Sequence, residues 1–96
     1  MSTMEGVEVE WDDDNVEHLA LHGISPDEVE DMLEGPVIRR RGGTDAPDRF
    51  RVLGRTAAGH YLAIVIQQKG RGVIRPFTGW EMRPHERNLY DRQVKD

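Results

Sequence analysis

The residues with the clearest potential for chemistry are arginines that alternate with apolar side chains. Arg49 and Arg51 alternate with Phe50 and Val52, so a strand here would carry its arginines on one face. The planar guanidinium group matches two phosphate oxygens, which predicts recognition of phosphate at that face. The alternative is a solvated sheet face, on which the arginines cover apolar neighbours.

Histidine and carboxylate side chains are the candidates for proton transfer, namely His22, His85, Glu81 and Glu86. The unperturbed pKa of histidine suits this role, whereas the pKa of a carboxylate would have to be raised by burial. Each candidate also has a structural interpretation. His22 precedes Gly23 at the end of a predicted helix, where it can serve as a cap through the helix dipole. His85 and Glu86 would lie exposed on a terminal helix.

Metal and cofactor sites are not indicated by the sequence. It contains no cysteine and four scattered histidines, and no pair has the spacing of a zinc site. Asp12, Asp13 and Asp14, with His18 or His22, could be considered as ligands of a metal-dependent hydrolase. Consecutive acids at a helix start point in different directions, however, and are explained as caps. We therefore expect neither a metal nor a cofactor.

Charge is divided unevenly along the chain, whose formal net charge is −5. Residues 1–34 contain twelve acidic and no basic residues, whereas residues 35–96 contain thirteen basic and six acidic ones. This division predicts one acidic and one basic face, or charges that pair across the molecule. The length of 96 residues fits one domain, 1–96, of modest stability, which binding to a partner would increase.

Nothing in the sequence indicates insertion into a membrane or secretion. No run approaches the roughly 18 apolar residues that a membrane-spanning helix needs. Residues 1–5 lack the basic and apolar regions of a signal peptide. We therefore expect a cytoplasmic protein.

The pattern of apolar and capping residues predicts an α+β fold. An N-terminal strand at 7–11 is followed by two short helices, of which the second begins at Ser25-Pro26. An antiparallel β-meander of about four strands follows, with a loop at Gly42-Gly43 and an edge position or a bulge at Pro76. The predicted strands span 37–41, 49–56, 61–66 and 73–78. A C-terminal helix is predicted from Glu81 to about Gln93.

Three groups of residues, in this order and spacing, resemble the BrnT-type toxins of the RelE-like superfamily. The first is Glu10-Trp11-Asp12 and Asn15, followed by Leu21-His22-Gly23-Ile24-Ser25. The second is the hairpin from Arg51 to Leu62, and the third is Arg75-Pro76-Phe77-Thr78 with Glu81-Met82 and Glu86-Arg87. The likeness covers most of residues 9–92. The sequence departs from the family pattern in two places: Leu21 replaces a lysine, and Gly79-Trp80 replaces an alanine-arginine pair.

The resemblance implies a RelE-like fold and a metal-independent endoribonuclease acting on mRNA. It also implies a cognate antitoxin, encoded beside the toxin, which binds it in a hetero-oligomer. The residues that could provide catalysis are Arg51, Arg75, His22 and Glu86. Those that could bind RNA are Arg39, Arg49 and Arg87, with Trp80 and Tyr90 stacking on unpaired bases. Tyr90 also fits the apolar stripe of the terminal helix, and Trp80 fits a core or interface anchor.

A non-catalytic protein-binding module on the same fold is the alternative function. Such a chain would form a homodimer or bind an antitoxin-like protein through its basic sheet face and an exposed edge strand. The sequence leaves both functions open, because a fold does not determine the activity of the sites that it carries.

Overall fold

The computed structural model describes residues 6–41 and 48–94, which form five strands and three helices. In chain order the elements are β1 (Glu8–Val9), α1 (Asp13–Ala20), α2 (Pro26–Glu34), β2 (Ile38–Arg40), β3 (Arg49–Arg55), β4 (Tyr61–Gly70), β5 (Val73–Glu81) and α3 (Pro84–Gln93). Among the described residues, no helix has the length and apolar character needed to cross a membrane.

All five strands belong to one mixed sheet, in the order β1-β5-β4-β3-β2. The last four strands form an antiparallel meander, and β1 joins its β5 edge in parallel. The pairing of β4 with β5 shifts in register between Val65 and Ile66, opposite Pro76. Proline has no N–H to donate to a ladder, which explains why the irregularity falls at this point.

One side of the sheet is covered by α1 and α2. Their buried side chains pack on the inward residues of the central strands and form the larger core, composed of Leu19, Ile24, Val29, Met32, Leu33, Val37, Phe50, Val52, Leu62, Ile64, Ile66 and Ile74. Both helices begin with a complete capping box, on Asp12 and on Ser25. The caps fix where each helix starts, and the apolar stripes fix which side it buries.

The other side of the sheet is covered only in part, by α3. A smaller core forms there, in which Met82 and Tyr90 pack on Ile38, Leu53 and Ala63. Beyond this core the strands carry mainly polar and charged side chains. We call this uncovered part the open face; it comprises Arg40, Arg49, Arg51, Val65, Gln67 and Arg75.

The predicted α+β class is confirmed, while several details differ. The N-terminal strand has only two residues, β4 and β5 extend beyond the predicted bounds to Gly70 and Glu81, and α3 begins at Pro84 rather than Glu81. The predicted bulge or edge at Pro76 is confirmed as a bulge. The loop predicted at Gly42-Gly43 lies outside the described residues.

A buried asparagine joins the first helix to the sheet. The side-chain amide nitrogen of Asn15 donates to the carbonyl oxygens of Glu10, at 3.0 Å, and Pro76, at 2.8 Å. Its Oδ1 atom accepts from the backbone N–H of Asp12 at 2.8 Å. Asn15 is 2% exposed, so these carbonyl groups have little access to water as a substitute partner.

We expect Asn15→Ala to lower the free energy of unfolding by about 1–3 kcal/mol, because it leaves buried polar groups without partners. Glu17→Ala is the matched control, since Glu17 lies exposed on the same helix, and we expect it to change stability by about 0.5 kcal/mol or less. Urea denaturation followed by circular dichroism measures both. Equal stability of the two variants would contradict the structural role of Asn15.

Candidate functional site

The strand register brings three arginines together on the open face. Arg40 on β2 is the direct cross-strand partner of Arg51 on β3. Arg49 lies two residues from Arg51 on the same strand, so its side chain points to the same face. Arg49 and Arg51 were predicted from the sequence; Arg40 was not, because its position opposite Arg51 depends on the register of the β2–β3 pair.

Arg51 is held by a buried carboxylate from α3. Its Nη1 atom lies 3.6 Å from Oε2 of Glu86, a residue that is 2% exposed. The other carboxylate oxygen of Glu86 accepts from Nε1 of Trp80 at 3.0 Å and from the backbone N–H of Arg83 at 2.9 Å. Thus Glu86 connects the start of α3 to β5 and fixes one guanidinium group on β3. Nε of Arg51 and Oε2 of Glu86 have no hydrogen-bond partner.

Glu86 carries a negative charge at neutral pH. Burial opposes that charge, but the N–H groups of Arg83 and Trp80 and the positive charge of Arg51 outweigh burial and hold the pKa of Glu86 below its ordinary value of 4.5. A general acid near neutral pH needs the opposite shift. The carboxylate is therefore suited to orienting Arg51 rather than to protonating a leaving group.

Arginine–aromatic stacking adds flat surfaces beside this cluster. The guanidinium carbon of Arg49 lies 4.6 Å from the ring centre of Phe77, and that of Arg83 lies 4.9 Å from the ring centre of Trp80. Phe77 is partly exposed and sits at the bulge in β5. Phe77 was not among the predicted site residues, because the bulge disturbs the alternation that would have assigned its side.

Arg39, a predicted RNA-binding residue, lies on the opposite side of the sheet. It pairs across the strands with Val52, which belongs to the larger core, and its guanidinium carbon lies 4.0 Å from the ring centre of Phe50. Adjacent residues of a strand point to opposite faces. Arg40 therefore lies on the open face, where the sequence analysis had placed Arg39.

Arg75 lies on the open face but is already paired. Its guanidinium group donates to both carboxylate oxygens of Asp12, at 3.0 and 2.8 Å from Nη2, and its Nε lies 3.5 Å from Oε1 of Glu10. Asp12 also caps α1. The predicted catalytic Arg75 therefore connects β5 to the start of α1, and its charge is largely neutralised.

Three further predicted residues lie away from the cluster. His22 lines a small cavity of about 140 Å³ with His60, beside core residues of the helix-covered side. Tyr90 is buried, and its hydroxyl donates to the carbonyl oxygen of Pro36 at 2.7 Å, so stacking on a base is excluded. The guanidinium carbon of Arg87 lies 4.1 Å from the ring centre of Tyr61, at the covered end of β4.

Trp80 contributes to both structure and surface. Its ring packs against the smaller core and donates to Glu86, while Arg83 covers one ring face.

A larger cleft of about 410 Å³ lies elsewhere, lined in part by Asp31, Glu34 and Arg55. Among the described residues, no group of three or more histidine and acidic side chains is arranged to hold a metal ion.

We expect Glu86→Gln to remove an acid-dependent part of the stability. The folded-state pKa of Glu86 is lowered, so its charge stabilises the fold above about pH 4.5 and that stabilisation is lost as the pH falls through the folded-state pKa. The variant should be less stable than the natural protein at pH 7, and the difference should shrink on acidification. Urea midpoints between pH 3 and 7 measure this, with Glu17→Gln as the control. A difference independent of pH would contradict the ionised state of Glu86.

No protein-family model matches the chain, and no curated protein is significantly similar to it in sequence.

Proposed function

We propose that this chain is a BrnT-type toxin, a metal-independent endoribonuclease that acts on mRNA and is neutralised by a cognate antitoxin. The observation that supports the proposal best is the clustering of Arg40, Arg49 and Arg51 on the part of the sheet that no helix covers. Cations on an uncovered sheet, beside partly exposed aromatic rings, are typical of surfaces that bind single-stranded RNA.

The order of elements supports a RelE-like fold for this proposal. A short strand and two helices precede an antiparallel meander, and a terminal helix closes one side of the sheet. This order agrees with the resemblance seen in three separate sequence segments. Shared architecture alone does not establish activity, so the proposed ribonuclease activity rests on the arginines of the open face.

In the proposed reaction, Arg51 and Arg49 stabilise the negative charge of the phosphorane. Charged donors that are already oriented before the reaction stabilise a transition state most effectively, because little reorganisation is required. Glu86 supplies that orientation by holding Arg51 from α3, at the margin of the open face. Glu86 is thus a positioning residue, which acts on RNA only through Arg51.

A partner follows from the same proposal. The antitoxin would bind this chain in the cytoplasm, and the pair would form a hetero-oligomer. A partner that competes with RNA for the open face would need acidic side chains, given the arginines there. The acidic surface of α1 and α2 is separate from the open face and remains available to a second contact.

The second candidate function is a non-catalytic protein-binding module, as a homodimer or with an antitoxin-like partner. Two observations favour it: Arg75 is paired with Asp12, and the predicted proton-transfer residue His22 lies beside the helix-covered core. Binding needs only the charge and shape of the open face, whereas efficient cleavage also needs a base and an acid.

Induction of the chain in a bacterial host should arrest growth, and the purified protein should cleave single-stranded RNA in the presence of a chelator. We expect Arg49→Ala and Arg51→Lys each to reduce the cleavage rate by about ten-fold or more, since removal of one oriented donor typically costs at least that much. Arg51→Lys removes the planar fork of the guanidinium group. It retains a positive charge near the buried Glu86, and this charge protects the fold.

Arg92→Ala is the matched control, because Arg92 is an exposed arginine at the end of α3. It should cleave and arrest growth like the natural protein. Cleavage by the natural protein that neither Arg49→Ala nor Arg51→Lys reduces would exclude the open face as the active site. Folded natural protein that neither arrests growth nor cleaves RNA would exclude the toxin and favour the binding module.

A further inference from the structure

We propose that Arg40 and Arg51 together form a clamp for one phosphodiester group of single-stranded RNA. This inference rests on the proposed function, since it assigns a substrate contact to the same face. It adds Arg40, a residue that neither the sequence pattern nor the resemblance indicates, and it commits the pair to the RNA backbone rather than to a base.

In the free protein, the positive charges of Arg40 and Arg51 repel each other. Arg40 and Arg51 are direct cross-strand partners, so their β-carbons lie about 5 Å apart. Like charges at such positions destabilise a sheet. Arg51 lies near Glu86, but no carboxylate of the described residues lies within 4.0 Å of the guanidinium group of Arg40. An anion between the two side chains removes this repulsion.

Arg51 retains hydrogen-bond donors that its contact with Glu86 does not use. Its side chain is 24% exposed, and its closest approach to Glu86, 3.6 Å, is too long for a good hydrogen bond. Its Nε atom is buried without a partner. Glu86 thus fixes the position of Arg51 without forming a hydrogen bond to the outer N–H groups of its guanidinium group. A phosphate oxygen can accept from these partly exposed groups, whereas the buried Nε serves only to hold the side chain in place.

The stack of Arg49 on Phe77 favours a single strand of RNA over free phosphate as the ligand. Arg49, two residues from Arg51 on β3, stacks on Phe77 and so places a further cation and a flat surface beside the clamp. Bases of single strands stack on aromatic rings and on guanidinium planes. A phosphodiester held by Arg40 and Arg51 therefore has a place for its adjoining base.

Arg39 provides a matched control for charge. It precedes Arg40 on the same strand and carries the same side chain, but it lies on the opposite side of the sheet. Removing either residue changes the net charge equally. Only Arg40→Ala removes a contact on the open face.

The test measures fluorescence anisotropy of an uncleavable 2′-O-methyl RNA of about ten nucleotides, a length within the usual site size. We expect Arg40→Ala to weaken binding by about ten-fold or more, as the loss of a charged hydrogen bond predicts, and Arg39→Ala to weaken it by much less. Equal losses in the two variants would show non-specific attraction and overturn the clamp, as would absence of binding to the natural protein.

Thermal unfolding in low salt provides the second measurement. We expect Arg40→Ala to be at least as stable as the natural protein, because it relieves repulsion, and inorganic phosphate to raise the melting temperature of the natural protein more than that of the variant. A less stable Arg40→Ala variant would indicate a structural role and overturn the clamp. Equally tight, Arg40-dependent binding of a polyglutamate peptide would overturn it in favour of an acidic protein.

These outcomes separate the clamp from the proposed function. Arg40-dependent binding without cleavage or growth arrest supports the clamp and removes the ribonuclease. Cleavage that does not depend on Arg40, with unchanged affinity of Arg40→Ala for RNA, retains the ribonuclease and removes the clamp.

Discussion

The buried amide of Asn15 is the interaction on which the arrangement of this fold depends. The first helix begins four residues after the end of β1, and this two-residue strand is too short to hold its position by its own ladder. Asn15 bonds to the carbonyl oxygens of Glu10 and Pro76 and so ties the start of α1 to the bulge in β5. Arg75, beside that bulge, also binds Asp12, the residue that caps the same helix. The edge of the sheet is therefore fixed by side chains in addition to its short strand pairing.

The two sides of the sheet impose different requirements on its residues. The helix-covered side is packed closely, and Gly79 shows how little space remains. A β-carbon at this position would lie 2.9 Å from the carbonyl oxygen of Ala63 and 2.6 Å from Cδ1 of Ile64. The alanine expected there from the BrnT-type pattern does not fit this packing. Glycine at position 79 thus has a steric reason.

The capping residues and apolar periodicity predicted the elements well, because these signals are local. Ser25 and Pro26 start α2 as expected, and Pro76 marks the bulge. The composition of the site was less predictable. Which of Arg39 and Arg40 faces outward depends on the register of a three-residue strand, and one step in register exchanges the two faces.

Long-range pairing also explains why the surroundings of several predicted site residues differ from those expected from the sequence. The sequence offered Arg75 as a cation for phosphate, and no local signal shows that Asp12 would bind it. Similarly, Glu86 was considered as an exposed acid, whereas its burial follows from α3 packing against β3 and β5. Arg49 and Arg51 lie on one face of the sheet as expected, because their side was determined within one strand.

The parallel pairing of β1 with β5 has a consequence for the time at which this chain can fold. Asn15 and Pro76 are 61 residues apart, so the N-terminal segment lacks its docking site until most of the chain has left the ribosome. The β3–β4 and β4–β5 hairpins contain local contacts that form early. During synthesis the acidic N-terminal segment therefore waits undocked, and closure of the sheet edge is a late step in folding.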